Sequence, residues 1–448
     1  MKSCAISRAH RVQLRFQSCS AQASAKESGV IFPCRKLAYG STVIIFILGL
    51  FLSLLSSALG QQNVWDELNA RVDSLYRQGR YAEAVPAAQK LVDFAEEKFG
   101  TKAPNVASSL NKLAVLYEEV GNFTDAEPLY RRALEIREQA AGPDNPEVAA
   151  SLNNLGALYA DQGKYEQAQA IYERALAIRE KALGADNPDL ATSLNNLAVL
   201  YDLEGREADA LPLYQRALAI REKVLAPDHP EVAKSLMNLA GLYRDARRYE
   251  EAEPLYRRLL AIDEKATDEN NAGDEQSELA STLDDLGSIY LAEGKYAQAE
   301  PIYKRAAALA DRNFSKEPLA ATIFSDFARL DVAEGHYASA EPLDIRALRI
   351  LEEDFGSSSS RLAPILGGLS EVFYLQGRYT EATSALQREL AIQEKVLGAD
   401  DPELASILDN YAAVLLKTNH TAEAAQAEAR AKAIRAKATA AASSDPAN

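Results

Sequence analysis

One position recurs down this chain at an almost constant step: Gly79, Gly121, Gly163, Gly205, Arg247, Gly294, Gly335, Gly377 and Asn419. The steps are 42, 42, 42, 42, 47, 41, 42 and 42 residues. Five residues beyond each stands an alanine without exception: Ala84, Ala126, Ala168, Ala210, Ala252, Ala299, Ala340, Ala382 and Ala424. Self-similarity at such a period means stacked copies of one supersecondary unit, each too small to cover its own apolar surface. Nine units fill residues 65–438 and leave no room there for a further domain.

Each unit reads as two helices. In the unit beginning at Pro146, the residues Val148, Leu152, Leu155 and Tyr159 are spaced four, three and four apart, which places them on one helical face. Gly163 then ends the helix in the left-handed conformation. Ala168, Ile171, Tyr172, Ala175 and Ile178 make the face of a second helix. The invariant alanine is expected where the two helices cross, because a methyl group lets their backbones approach. The joints GPDNP (142–146), GADNP (184–188), APDHP (226–230) and GADDP (398–402) put Asn145, Asn187, His229 or Asp401 ahead of a proline. Asn or Asp suits the helix cap and proline the first helical position. His229 is therefore read as a cap, not a ligand.

Leu152, Leu155, Gly156, Tyr159, Ala168, Tyr172 and Ala175 stand at the spacing of a known signature. In these residues the chain resembles the tetratricopeptide-repeat family. The 42-residue unit with AEPLYRRALEIREQ (126–139) and GPDNP is similar to its kinesin-light-chain-type subfamily. The resemblance covers about four-fifths of the chain; one departure is that the usual proline comes at the end of the longer linker, as Pro188. It implies an all-α fold, a right-handed superhelical solenoid of helix-turn-helix repeats whose first helices line a concave groove. The groove of such proteins holds a peptide or a partner protein. The end units are degenerate, with Trp65 and Arg71 in the first and Thr421 in place of tyrosine in the last, as capping repeats require. Residues 439–448 are expected to form a disordered tail.

Three and two places before the Gly156 position come Asn111 and Lys112, Asn153 and Asn154, Asn195 and Asn196, Met237 and Asn238, Asp284 and Asp285, Ser325 and Asp326, and Asp409 and Asn410. The resemblance implies that these point into the groove. A carboxamide donates and accepts, so a ladder of them can clasp an extended backbone. Asn111, Asn153, Asn154, Asn195, Asn196 and Asn238, with Lys234, are the candidate peptide-binding residues. The alternative is structural: the same asparagines can bond the neighbouring helix pair and fix the stacking angle. Glu118, Glu119, Asp161, Asp202 and Asp245 outnumber Lys234 and Arg244 nearby, which favours a neutral or basic guest. Lysine is missing from the first position of every pair, so a clamp for a C-terminal carboxylate is not supported.

The net charge is −16, but residues 1–40 hold seven Lys/Arg and one acid, leaving −22 on the remainder. That field repels nucleic acid and anionic lipid. Behind the basic lead, residues 1–42, the run VIIFILGLFLSLL (43–55) precedes SSALGQQ, with Ala58 and Gly60 at the −3 and −1 positions of a cut after Gly60. Residues 43–60 thus read as a signal-peptide core with its cleavage site, or alternatively as a single membrane anchor tethering the chain through 43–59. Both place the repeats outside the cytoplasm, in a bacterial periplasm or secreted, or held at the membrane.

Cys4, Cys19 and Cys34 all precede that run, and the four histidines form no pair at helical ligand spacing. No metal, cofactor or catalytic residue is expected, and no enzyme activity. The insertion TDENNAGDEQSE (267–278) matches a calcium loop at Asp268, Asn270 and Gly273 but puts Ala272 at a ligand position and Glu278 one residue short. It is expected to be a solvated loop. The leading expectation is an exported adaptor; the second is an architectural protein that self-associates within an envelope assembly.

Overall fold

The computed structural model of the protein describes residues 60–270 and 273–444. The basic lead 1–42 and the signal or anchor 43–60, Gly60 apart, lie outside the described residues, as do 445–448 of the tail. The chain divides into two units, one ending at Ser235 and one starting at Leu236.

The first unit contains α1 (60–77), α2 (Tyr81–Phe99), α3 (Pro104–Glu119), α4 (Phe123–Ala141), α5 (Pro146–Asp161), α6 (Tyr165–Leu183), α7 (Pro188–Leu203), α8 (Glu207–Val224) and the start of α9 (Pro230–Asp245). The second continues with α10 (Tyr249–Asn270), α11 (Gly273–Ala292), α12 (Tyr296–Asn313), α13 (Pro318–Ala333) and α14 (Tyr337–Phe355). It closes with α15 (Ala363–Leu375), α16 (Tyr379–Leu397), α17 (Leu404–Lys417) and α18 (Thr421–Ser444). The described residues thus form nine helix pairs and no strand. Helix α18 runs to Ser444, through part of the segment expected to be disordered.

The joints follow the chemistry of their residues. Gly163 has φ +71°, and the two non-glycine residues in the same column, Arg247 and Asn419, are also left-handed at φ 56° and 60°. The joint after a second helix turns on a different glycine: Gly142 has φ 89° and ψ 157°, a region essentially closed to residues with a side chain. Asn145 Oδ1 then accepts from the Glu147 N–H at 2.8 Å, and Asn187 Oδ1 from Asp189 at 2.8 Å. His229 does the same through Nδ1, accepting from Glu231 at 3.1 Å. Asp401 Oδ1 caps Glu403 at 2.9 Å.

First helices are buried on nearly every side and second helices on one. In α5, eleven residues between Val148 and Tyr159 are buried, whereas α6 buries five. The column alanines are fully enclosed, Ala168 and Ala340 at 0% exposure. Ala340 packs against Ala328 of its own pair and Val372 of the next, the close approach its size permits. Stacking is visible in the small cores of the first unit. Val148, Ala149, Leu152, Ala175 and Ile178 are joined by Leu134 from the preceding pair. Leu190, Ala191, Leu194, Ala217 and Ile220 are joined by Leu176 in the same way.

The insertion corrects one expectation. Residues 267–270 and 273–278 are helical, the ends of a lengthened α10 and α11, instead of a solvated loop. No proline interrupts the stretch, and Thr267 Oγ1 returns to the Asp263 carbonyl at 2.8 Å, so both helices extend.

Candidate functional site

Side chains at the candidate positions differ more in their partners than in their depth. In the first unit, the leading member of each pair is interior: Asn111 is 1% exposed, Asn153 6% and Asn195 1%. Asn153 Nδ2 donates to Ser193 Oγ of the following pair at 3.2 Å, a bond that joins two repeats. Neither carboxamide atom of Asn111 is hydrogen-bonded among the described residues. Lys112 is also buried and makes an ion pair with Asp73 of the pair before it. The trailing members differ. Asn154 is buried and Asn196 half-buried, and neither carboxamide has a hydrogen bond to the described protein. Lys234 and Asn238 are half-buried and engaged with neighbours.

Beside these asparagines runs a column that helical periodicity alone assigns to the surface. Arg137 Nη1 donates to Ser151 Oγ at 2.6 Å, Arg179 Nη1 to Ser193 Oγ at 3.0 Å, and Arg221 Nη1 to Ser235 Oγ at 2.6 Å. Each arginine belongs to a second helix and each serine to the first helix of the next pair. Arg179 also donates to the Asp189 carbonyl at 2.7 Å, and Arg221 pairs with Glu231 at 2.6 Å. Burial pulls the Arg179 and Arg221 guanidinium groups below their usual pKa, with nearby carboxylates opposing it. In the first pair, where Ala95 replaces the arginine, Trp65 Nε1 supplies the donor to Ser109 Oγ at 3.0 Å. Asn153 and Arg179 therefore meet on one hydroxyl, Ser193, which makes Asn153 part of the stacking frame.

The second unit carries carboxylates at the same positions. Asp285 is paired with Arg244, and the Tyr256 hydroxyl donates to it. Asp284 is buried, its Oδ1 has no hydrogen-bond partner, and neither has the fully buried Tyr303 hydroxyl. Burial pushes Asp284 well above the ordinary carboxylate range, and Asp326 and Asp285 add to it. Two pairs further on, after Ser325 and Asp326, the two candidate positions are Gly367 and Gly368. A Cβ on Gly368 would lie 3.2 Å from Asp344 Oδ2, and one on Gly367 3.3 Å from Glu389 Oε1. The glycines thus make room for two carboxylates from second helices. Burial raises both, Asp344 to about 7 against the bond from Ser325, and Glu389 to about 7.

The family profile of the tetratricopeptide repeat matches residues 68–139, 147–223, 204–265, 278–353 and 361–437. The chain belongs to the tetratricopeptide-repeat family. Its likeness to solved repeat proteins agrees. The apo form of RapI is 13% identical, aligned over 84% of this chain and 98% of RapI, with a TM-score of 0.59. The apo form of the quorum sensor NprR from B. thuringiensis is 16% identical, over 83% and 99%, with a TM-score of 0.55. BtubC (BKLC) from P. vanneervenii is 26% identical over 55% of this chain and 91% of its own, with a TM-score of 0.44. No match is found among curated proteins. Tetratricopeptide repeats are protein-interaction scaffolds, and this chain is one.

Proposed function

We propose that this tetratricopeptide-repeat chain is a non-enzymatic adaptor that works outside the cytoplasm and holds a neutral or basic peptide segment against its first helices. The observation that carries the reading is the pair Asn154 and Asn196. They occupy one position in consecutive repeats, and their carboxamides are left without a hydrogen bond to the described protein. Neither carboxamide is among the fully enclosed, unpartnered side-chain atoms of the described residues, so a guest there would replace water. An extended backbone, with a donor and an acceptor at every residue, is a guest of matching chemistry. The acidic balance downstream of residue 40 supports a guest without net negative charge. The basic lead followed by the apolar run at 43–55 supports export.

The test is capture from an envelope extract by the full chain and by Asn154→Ala with Asn196→Ala. The double variant is expected to keep its helical circular dichroism and lose the captured partner. Equal capture by both proteins removes the carboxamides from the binding face. Amino-terminal sequencing of the protein recovered from the envelope fraction tests export, with a start near Gln61 expected.

A further inference from the structure

In the repeat column headed by Tyr159, an aromatic residue near the end of the first helix sits under a cation just past the joint. Lys164 lies 5.5 Å from the Tyr159 ring, Arg206 4.0 Å from Tyr201, Arg248 4.5 Å from Tyr243, Lys295 5.9 Å from Tyr290, and Arg378 4.5 Å from Phe373. At the joint between α13 and α14 both members have changed together. Asp331 replaces the ring and His336 replaces the lysine or arginine. A carboxylate alone would have been answered by the usual cation. Instead an imidazole stands there, and Glu334 joins it.

The three side chains converge without bonding. His336 Nδ1 is 3.9 Å from Asp331 Oδ1 and 3.7 Å from Glu334 Oε2, both too long for a hydrogen bond. One ligand atom from each of the three falls within 4.8 Å of the others. Asp331 is 7% exposed, and no hydrogen bond reaches its carboxylate from the described protein. Burial and the like charges of Glu334 and Glu300 oppose the charged carboxylate, which the positive fields of His336 and Lys304 favour; a cation held between Asp331 and Glu334 would offset that repulsion. The His336 ring is largely exposed, so that space opens to solvent. The turn itself is held by backbone bonds, including His336 N–H to the Asp331 carbonyl at 2.7 Å, and does not need the three side chains.

We propose that Asp331, Glu334 and His336 form a site for one divalent transition-metal ion, with zinc as the simplest occupant. Metal–ligand distances of about 2.0–2.2 Å in a tetrahedral site put two ligands of one ion about 3.3–3.6 Å apart. The two separations from His336, 3.9 and 3.7 Å, need to close by a few tenths of an ångström, and the whole set, now within 4.8 Å, closes by rotation of the exposed His336 and half-buried Glu334 side chains. One imidazole with two carboxylates selects zinc or a neighbouring transition metal over magnesium or calcium, which take oxygen ligands alone. Three protein ligands also leave at least one coordination position open on the exposed side. Glu300, on the neighbouring second helix, is held by Lys304 at 2.6 Å and stays outside the set.

The experiment is equilibrium dialysis of the full chain against low-micromolar zinc, with bound metal counted per chain. Cys4, Cys19 and Cys34 are thiols that also take zinc, so the readout is the difference between proteins. Asp331→Tyr with His336→Arg restores the residues of the other repeats and is expected to bind one equivalent less than the parent chain. Glu334→Gln, which leaves the ring position untouched, is expected to weaken the same equivalent. If the double variant loses its helical circular dichroism, Glu334→Gln and His336→Ala decide alone. Identical stoichiometry and affinity in parent and variants overturns the site.

Discussion

Arg179 Nη1 reaches across from one helix pair to the next and donates to Ser193 Oγ at 3.0 Å, inside the stack, where the arginine is 3% exposed. The same relation holds for Arg137 with Ser151 and Arg221 with Ser235. It is varied at Asp263, whose carboxylate accepts from Thr282 Oγ1 at 2.7 Å. Further on, both partners turn apolar together. Ala310 is matched by Ile323 and Leu351 by Ile365, all four within one hydrophobic cluster. The two chemistries are alternative ways of closing the same joint. At these six joints a hydroxyl lies opposite a guanidinium or carboxylate, or an isoleucine opposite an alanine or leucine; the two end joints depart, with Ser109 opposite Ala95 and Ile407 opposite Gln393.

This exchange makes a double-mutant cycle informative. Arg179→Ala removes the donor to Ser193 Oγ and to the Asp189 carbonyl and should cost about 2–4 kcal/mol, read from denaturant unfolding. Arg179→Leu with Ser193→Ile copies the pair Leu351 and Ile365, and is expected to recover most of that loss. A double variant no more stable than Arg179→Ala would mean that the polar joint cannot be exchanged for the apolar one.

Much of the fold was legible in the residues, because its signals are local. The 42-residue step, the enclosed alanines and the caps at Asn145 and Asn187 each depend on neighbours within one unit. Even Arg247 and Asn419, aligned with glycines by spacing alone, take the left-handed conformation. What was not legible depends on the next copy. Arg179 reads as a surface charge in its own helix and is buried only because another pair lies on it. The asparagine pairs looked like one ladder, but a 100° step around the helix separates Asn153, bonded to Ser193, from Asn154, which is free of such bonds. His336 was passed over because ligand spacing was sought between histidines, whereas its neighbours are carboxylates.

Arg247 holds a left-handed backbone that favours glycine, at φ 56°, and is exposed. The conformation costs an L-residue about 1–2 kcal/mol, of which glycine's greater freedom in the unfolded chain takes back about 0.5–1 kcal/mol. Arg247→Gly is therefore expected to stabilise the protein by about 0.5–1 kcal/mol. Gly163→Ala, at φ 71° in the same column, should destabilise it. Thermal melts of the two variants beside the parent give both signs.

Ala168 is fully buried where the helices of its pair approach. Ala168→Leu should overpack that crossing and cost about 1–3 kcal/mol. An unchanged melting midpoint would move the crossing elsewhere.

The second unit should respond to pH through Asp344 and Glu389. Burial raises both from ordinary values of 3.8 and 4.5 to about 7. Between those limits the folded chain keeps protons that the unfolded chain releases. Their contribution is thus complete below about pH 4 and is lost as pH rises through 7. Asp344→Asn with Glu389→Gln removes this slope, so the difference in melting temperature between pH 5 and pH 8 should change by that share. Parallel pH profiles for parent and variant would show that the two carboxyl groups titrate alike in both states.

The asparagines of the first unit separate frame from guest. Asn153 shares Ser193 with Arg179, and Asn195 is 1% exposed, so Asn153→Ala with Asn195→Ala opens the Asn153–Ser193 bond between repeats and empties a second buried polar position. Loss of about 1–3 kcal/mol is expected, with weaker capture following from the weaker stack. Asn154→Ala with Asn196→Ala removes no hydrogen bond to the described protein and should leave the unfolding midpoint within about 0.5 kcal/mol of the parent. Capture is then the only property expected to change. The two double variants, measured side by side for stability and for capture, should fall on opposite axes. If both lost stability equally, the trailing asparagines would belong to the frame as well, and the guest would have to be sought on another face.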